Sequence, residues 1–118
     1  MKELLLILIC SPIIGFAQQT ISGTMLHDNL QRQYILYTPA SYDANTPVPL
    51  VFCFHGYGSA NINIKYYSNF TSIADTAGFI IVFPQGSQDT SGKTHWNVGF
   101  GGSVVNDLGF VEILLDTI

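Results

Sequence analysis

The chain has 118 residues, of which 47% are hydrophobic and 10% are charged, and its formal net charge is −4. This length allows at most one domain, or part of one, and the high apolar content argues against an intrinsically disordered chain. The four basic residues are scattered along the sequence, so the composition argues against nucleic-acid binding.

The N-terminus has the pattern of a secretory signal peptide. A short charged start precedes an apolar run over residues 4–14, and Gly15 and Ala17 are small residues where signal peptidase requires them. The run is shorter than the roughly 20 apolar residues that a transmembrane anchor needs. The bulky residue before Cys10 argues against a lipoprotein signal. We therefore predict cleavage after Ala17, which leaves residues 18–118 as a secreted chain, extracellular or periplasmic, with no stable membrane anchor.

Three strands are predicted in the first half of the mature chain. A weak strand over residues 20–27 is followed by turn-forming residues 28–29, and a second strand over residues 32–38 ends before a proline. After a loop over residues 41–49, Leu50 to Phe54 is an unbroken apolar run. A strand without polar alternation is covered on both faces, as in a parallel sheet between helices.

The region after the third strand alternates helix and strand. A helix is predicted from Ile62 to Ala77, since Gly78 suits the position after a helix end and apolar residues recur at helical spacing, namely Phe70, Ile73, Ala74 and Ala77. Phe79 to Phe83 is predicted to be another buried strand. Residues 85–102 are predicted to be a long polar loop rich in glycine.

A final helix is predicted from Val105 to Ile118. Asn106 can cap it, and Asp107 in its first turn suits the positive end of the helix dipole. Its apolar stripe is predicted to consist of Leu108, Val111, Leu115 and Ile118. The order of elements predicts an α/β fold with a right-handed βαβ crossover. Cys53, inside the third strand, is expected to be a buried thiol that behaves as a small hydrophobic residue.

The sequence His55-Gly56-Tyr57-Gly58 lies where the third strand ends and a helix is about to begin. This position is the carboxyl edge of a parallel sheet, where open α/β folds bind ligands. Glycines allow unusual backbone angles and close approach of a ligand. Bare backbone N–H groups at such a point can stabilise an oxyanion, and in α/β-hydrolases one oxyanion donor comes from a glycine motif after the third strand.

Five segments of the mature chain, in their order and spacing, resemble the secreted polyhydroxybutyrate depolymerase and feruloyl esterase-like branch of the α/β-hydrolases. They are RQYILYTPASYD, PVPLVFCFHGYGS, IADTAGFIIVFPQG, HWNVG and VNDLGFV. The resemblance implies an ester substrate, small or polymeric, and no metal or cofactor. It implies that the backbone N–H of Tyr57 is an oxyanion donor, that His55 and Gly56 shape the turn, and that Trp96 and Asn97 border the substrate cleft. On this view the Tyr57 side chain matters little.

The resemblance does not extend to a catalytic triad. An α/β-hydrolase needs a Gly-x-Ser-x-Gly nucleophile motif followed by an acid and a histidine, and no serine of the mature chain has this context. The fold class is therefore expected to be the N-terminal part of an α/β-hydrolase, with a mostly parallel sheet and flanking helices, truncated before the nucleophile strand. Residues 18–118 alone are expected to be inactive and poorly folded, because a strand edge would be bare.

Several residues also have simpler interpretations. His55 suits a structural role in the turn better than general-base catalysis, and His95 is expected to be a solvated loop residue without metal-ligand spacing. Trp96 either packs the loop or contacts substrate. Asp107 is interpreted first as a helix-start residue.

The sequence also raises two alternative functions. The segment from Gly86 to Thr94 resembles a phosphate-binding P-loop, but it has one residue too many between its glycines and opens no helix. The remaining alternative to a secreted serine ester hydrolase is a non-catalytic secreted binding domain on the same scaffold. A nucleophile motif further along the gene would distinguish the two.

Overall fold

The computed structural model describes residues 18–118. In that range the elements are, in chain order, β1 (Gln19–His27), β2 (Leu30–Thr38), β3 (Leu50–Phe52), α1 (Asn61–Ser68), α2 (Phe70–Ala77), β4 (Ile80–Pro84), β5 (Ser87–Gln88), β6 (Thr94–His95) and α3 (Asp107–Thr117). The predicted signal peptide, residues 1–17, lies outside the described residues.

Four strands form one sheet in the order β1-β2-β4-β3, and β5 pairs with β6 in a small separate hairpin. The α/β fold class is confirmed. The sheet is mixed: β3 and β4 supply the predicted parallel part, whereas β1 pairs with β2, and β2 with β4, in antiparallel fashion. The connection from β1 to β2 has two residues, which can join only antiparallel strands, whereas the helices between β3 and β4 allow a parallel crossover.

The predicted turn at Asp28 and Asn29 is confirmed. Both residues have positive φ angles, of 50° and 60°, as a type I′ hairpin turn requires, and Asp and Asn tolerate this conformation better than most residues. The turn closes the hairpin tightly, so His27 pairs directly with Leu30. For this reason β2 begins two residues before the predicted strand.

Strand β4 is the centre of the core, since all of its residues are buried. Its side chains alternate between two faces of the sheet, as strand geometry requires. Ile81 and Phe83 join one apolar cluster, which also contains Ile35, Tyr37, Cys53 and Ala74. Val82 faces the other side and packs with Phe110 and Leu114 of α3. The prediction of a buried strand over Phe79 to Phe83 is therefore confirmed, with its bounds shifted by one residue. The prediction that the strand from Leu50 to Phe54 is covered on both faces is wrong for the described residues, since β3 ends at Phe52 and lies half-buried at the edge of the sheet, and Phe54 is 42% exposed. Cys53 is a buried free thiol, as expected, and its pKa is raised by burial.

The predicted single helix over residues 62–77 is wrong, because the chain forms two helices that meet at Asn69. This residue has a φ of 53°, in the left-handed region, and so interrupts the helical hydrogen bonds. The predicted helix end is confirmed, since Gly78 has a φ of 73° and donates its N–H to the carbonyl of Ala74. Of the predicted apolar positions in α2, Ala74 is the buried one, and its small side chain lets the helix approach β4 closely.

Helix α3 has the predicted cap, but it begins at Asp107, two residues after the predicted start at Val105, and it buries a different face. The Asn106 side chain accepts a hydrogen bond from the N–H of Gly109, so the predicted cap is confirmed. The predicted stripe is wrong, since the face that packs on the sheet consists of Asp107, Phe110 and Leu114, about 100° around the helix from that stripe. Helix α3 is turned this way because its first residue, Asp107, forms an ion pair with a buried arginine of β2.

Within residues 18–118 no helix is both long and apolar enough to cross a lipid bilayer.

Candidate oxyanion turn and its supporting hairpin

The residues after β3 form a tight turn that leads into α1. Cys53 still donates its N–H to the carbonyl of Val82, so the strand ladder continues one residue past β3. The N–H of Ser59 then bonds the carbonyl of Gly56, and Gly58 has a φ of 71°. An L side chain is strained at this angle, so the turn needs glycine there. We call residues 55–59 the glycine turn.

His55 is buried and holds the glycine turn from inside. Its Nε2 lies 2.9 Å from the backbone nitrogen of Gly86, and its Nδ1 lies 2.8 Å from the carbonyl oxygen of Gly56. A backbone N–H can only donate, so Nε2 accepts and carries no proton. Nδ1 then carries the proton and donates a hydrogen bond to the carbonyl of Gly56. The imidazole therefore links the backbone of the glycine turn, at Gly56, to the backbone after β4, at Gly86.

Gln85 is a second support that the sequence did not reveal. Its Oε1 accepts a hydrogen bond from the N–H of Asn61 at the start of α1, which fixes the orientation of the amide. The amide nitrogen therefore faces His55 Nε2 at 3.0 Å and the Gly86 carbonyl at 3.2 Å. A single polar side chain thus joins the end of β4 to both ends of the β3–α1 connection.

The β5–β6 hairpin docks directly on the glycine turn. The N–H of Gly58 donates to the carbonyl of Thr94 at 2.7 Å, and the hydroxyl of Thr94 donates to the carbonyl of Ser59. Sequence patterns predicted only a loop here, because strands of two residues leave no periodic signal. The hairpin fixes the turn through backbone groups, which residue types alone do not predict.

The predicted cleft residues Trp96 and Asn97 lie beside this hairpin. The indole N–H of Trp96 donates to the His55 carbonyl at 2.9 Å, and its ring meets the ring of Phe54 edge-on at 4.9 Å. Asn97 donates its backbone N–H to Asp107 at 2.6 Å and its side-chain amide to the carbonyl of Val105 at 2.9 Å. Trp96 therefore packs against the turn, whereas Asn97 fastens the loop to the start of α3.

Arg32 and Asp107 form a buried ion pair behind this loop. Arg32 Nη2 lies 2.7 Å from Asp107 Oδ1, and the side chains are 2% and 8% exposed. The same nitrogen donates to the carbonyl of Gln85, and the guanidinium lies 4.0 Å from the ring centre of Phe110. No pattern in the sequence indicates that Arg32 lies at the site, since an arginine on a strand is ordinarily solvated.

His95 is not the solvated residue that the sequence suggested. It is buried, because its partner in the small hairpin is Ser87, whose carbonyl accepts a hydrogen bond from Nδ1 at 2.9 Å. Nδ1 therefore carries the proton, and within the part of the chain that the structure describes Nε2 has no hydrogen-bond partner. Gly86 faces this histidine so closely that a Cβ there would overlap the His95 carbonyl oxygen.

The glycine turn forms one wall of an open cleft of about 440 Å³. Its other walls come from the small hairpin and the loop that follows it, and it is lined by His55, Gly56, Tyr57, Asp89, His95, Trp96, Val98, Phe100 and Gly101. Tyr57 is 68% exposed. Among residues 18–118 its backbone N–H has no hydrogen-bond acceptor, so this donor is free for a bound group.

Comparison with solved structures identifies the fold. FphF, a fluorophosphonate-binding serine hydrolase from Staphylococcus aureus, superimposes with a TM-score of 0.61 at 14% identity, over 86% of this chain and 40% of that one. The S-formylglutathione hydrolase FrmB from the same organism gives 0.52 at 19% identity, over 86% and 41%. A ferulic acid esterase gives 0.50 at 21% identity, over 58% and 30%. The chain has the α/β-hydrolase fold.

The chain spans less than half the length of each of these three proteins. No family model matches the sequence, and no curated protein matches it. In an α/β-hydrolase the loop after the third strand carries an oxyanion donor, and the glycine turn follows β3 in this chain.

Three residues that support the site could not be predicted from the sequence, namely Gln85, Thr94 and Arg32. Each of them acts through contacts with segments that are remote in sequence.

Proposed function

We propose that this chain belongs to a secreted serine hydrolase of carboxylic esters and supplies one half of its oxyanion hole. One observation carries the proposal: the backbone N–H of Tyr57 has no acceptor among the described residues, yet it lies in a turn that hydrogen bonds fix on both sides. A free donor in a rigid frame is what stabilisation of an oxyanion requires, since no reorganisation is then needed during the reaction.

In the proposed reaction a serine hydroxyl attacks the ester carbonyl carbon and a base takes its proton. The carbonyl oxygen becomes an oxyanion that accepts hydrogen bonds from Tyr57 and from the residue after the nucleophile. The alcohol leaves with a proton, and water then releases the acid from the acyl-enzyme. The serine, the acid and the histidine are proposed to lie in a part of the protein that follows Ile118. No metal or cofactor takes part.

The finer proposal is the polyhydroxybutyrate depolymerase and feruloyl esterase-like branch, acting on a polyester or a plant cell-wall ester. Its support is the set of five sequence segments, whose order and spacing resemble that branch over most of the mature chain. Export is proposed from residues 1–17, whose pattern is that of a cleavable signal peptide.

The test uses the protein expressed from the complete gene. We expect it to release p-nitrophenol from short p-nitrophenyl esters, to keep this activity in EDTA, and to be labelled by a fluorophosphonate probe on one serine. A folded, secreted protein that shows neither hydrolysis nor labelling would contradict the proposal and favour the binding-domain alternative.

A matched pair of variants tests the donor itself. Tyr57→Pro removes the N–H, whereas Tyr57→Ala removes the side chain and keeps the N–H. Loss of one oxyanion donor typically costs about 10²- to 10³-fold in rate, so kcat of the proline variant should be at least about 10²-fold below wild type and far below that of the alanine variant. Circular dichroism checks folding. If both folded variants have equal kcat, the assignment of Tyr57 is wrong.

A further inference from the structure

The side chain of Tyr57 makes a contact that the oxyanion role of its backbone does not require. Its hydroxyl donates to Asp89 Oδ2 at 2.8 Å and lies 3.4 Å from the hydroxyl oxygen of Ser91. Asp89 follows β5, in the connection between the two strands of the small hairpin. The contact therefore joins two walls of the same cleft, across 32 positions of sequence.

Asp89 is itself held in place by the hairpin connection. Its Oδ1 accepts the N–H of Ser91 at 2.8 Å, the hydroxyl of Ser91 at 2.7 Å and the N–H of Lys93 at 2.9 Å. The Ser91 hydroxyl, followed by the Lys93 N–H, holds the pKa of the Asp89 carboxyl well below its usual range. The carboxylate is thus a fixed, charged acceptor, and Oδ2 is the oxygen that remains for Tyr57.

Residues before and after Tyr57 are held by hydrogen bonds to other segments of the chain. His55 is fixed by the N–H of Gly86 and by Trp96, and Gly58 is fixed by the carbonyl of Thr94. Between them, the backbone N–H of Tyr57 has no acceptor among the described residues. The hydroxyl contact with Asp89 is therefore what fixes residue 57 in addition to its neighbours.

We propose that the Tyr57 hydroxyl and Asp89 form a latch that positions the Tyr57 backbone N–H for the oxyanion. This inference rests on the proposed ester hydrolase function. Tyr57 is thus a positioning residue through its side chain as well as a donor through its backbone. The expectation from sequence that the side chain matters little is replaced by a specific one: removal of the hydroxyl lets residue 57 move.

The kinetic test uses Tyr57→Phe, Asp89→Ala and the double variant in the protein from the complete gene. Each single change should lower kcat about 3- to 30-fold, the range for loss of one hydrogen bond and less than loss of the donor itself. KM should change less than about twofold, because the donor acts mainly in the transition state. The double variant should be no slower than the slower single variant, since both changes break the same contact.

Two further variants serve as controls. Tyr67→Phe removes an exposed tyrosine hydroxyl on α1 and should leave kcat unchanged. Asp89→Asn keeps an oxygen acceptor for Tyr57 and should retain more activity than Asp89→Ala. A purely structural role for Asp89 would not produce this order with unchanged KM.

Amide hydrogen exchange supplies a measurement that does not depend on activity. The N–H of Gly58 donates to the carbonyl of Thr94 in the small hairpin, and the N–H of Ser59 donates to the carbonyl of Gly56 within the glycine turn. Their exchange should be at least about threefold faster in Tyr57→Phe and Asp89→Ala than in wild type, and unchanged in Tyr67→Phe.

The two measurements separate the latch from the function on which it rests. A wild-type protein that hydrolyses no ester overturns the proposed function, and exchange then still decides whether the latch holds the turn. Unchanged exchange in both latch variants overturns the latch, even if kcat falls, because the hydroxyl would then act on the substrate directly. Faster amide exchange in the latch variants with unchanged kcat would show that the contact does not position the Tyr57 N–H for catalysis.

Discussion

Loss of charge at Asp107 should destabilise the protein strongly, although the residue stands at the start of a helix where an acid is ordinarily a minor aid. The structure gives Asp107 two interactions: an ion pair with Arg32 and a hydrogen bond from the N–H of Asn97. Within residues 18–118, it is the carboxylate that lies within ion-pair distance of Arg32. The change Asp107→Asn keeps the shape of the side chain and removes its charge.

The two interpretations of Asp107 predict different magnitudes. An acid that only complements the helix dipole contributes about 0.3–1 kcal/mol. Opposite charges about 4 Å apart attract by about 4 kcal/mol at an effective dielectric constant of about 20, and the guanidinium of Arg32, at 2% exposure, has little water to replace the lost partner. Breaking a buried pair on one side typically costs about 3–5 kcal/mol. We therefore expect Asp107→Asn to lower the free energy of unfolding by about 3 kcal/mol or more.

Urea unfolding of the complete protein, followed by circular dichroism, measures this loss. Asp116→Asn, an exposed acid on the same helix, is the matched control and should change stability by no more than about 0.5 kcal/mol. Arg32→Met should resemble Asp107→Asn, and the double variant should lose less than the sum of the two, because no unpaired charge remains. A loss below about 1 kcal/mol for Asp107→Asn, or additive single changes, would refute the buried ion pair as the reason for the orientation of α3.

Three other outcomes are expected. Gly86→Ala should cost about 1–3 kcal/mol in urea unfolding, because the added Cβ overlaps the backbone carbonyl of His95, which cannot move freely. Burial and the nearby Asp75 raise the pKa of Tyr37 to about 12, so wild type should lose thermal stability as pH rises from about 10 to 12, and Tyr37→Phe should lack this loss. N-terminal sequencing of secreted protein should begin at Gln18, and an intact initiator methionine would contradict the predicted signal peptide.

Elements with a strong local signal could be predicted from the sequence. The unbroken apolar run at β4, the turn at Asp28 and Asn29, the cap at Asn106 and the helix end at Gly78 all depend on a few neighbouring residues. The turn and cap residues restrict the backbone by themselves, through a φ angle or a local hydrogen bond. Such restrictions do not depend on how the remaining chain packs.

Features decided by packing could not be predicted in this way. The break at Asn69 looks like a continuous helix in sequence, because the apolar residues of α2 keep helical spacing. The buried face of α3 differs from the predicted stripe because it joins Phe110 and Leu114 to Asp107, and a pattern of apolar residues does not show the ion pair of Asp107 with Arg32. His95 is buried because a hairpin too short for a periodic pattern pairs it with Ser87.

The same distinction explains how the candidate site is held together. The loop after the small hairpin exposes its apolar side chains, with Phe100 96% and Val104 fully exposed, so burial of apolar surface does not fix it. It is instead fixed at Asn97, which bonds the carboxylate of Asp107 and the carbonyl of Val105. Asp107 holds that position because Arg32 neutralises it. A charge pair in the core thus sets the position of a loop beside the cleft, and loss of the charge at Asp107 should loosen that loop before it unfolds the sheet.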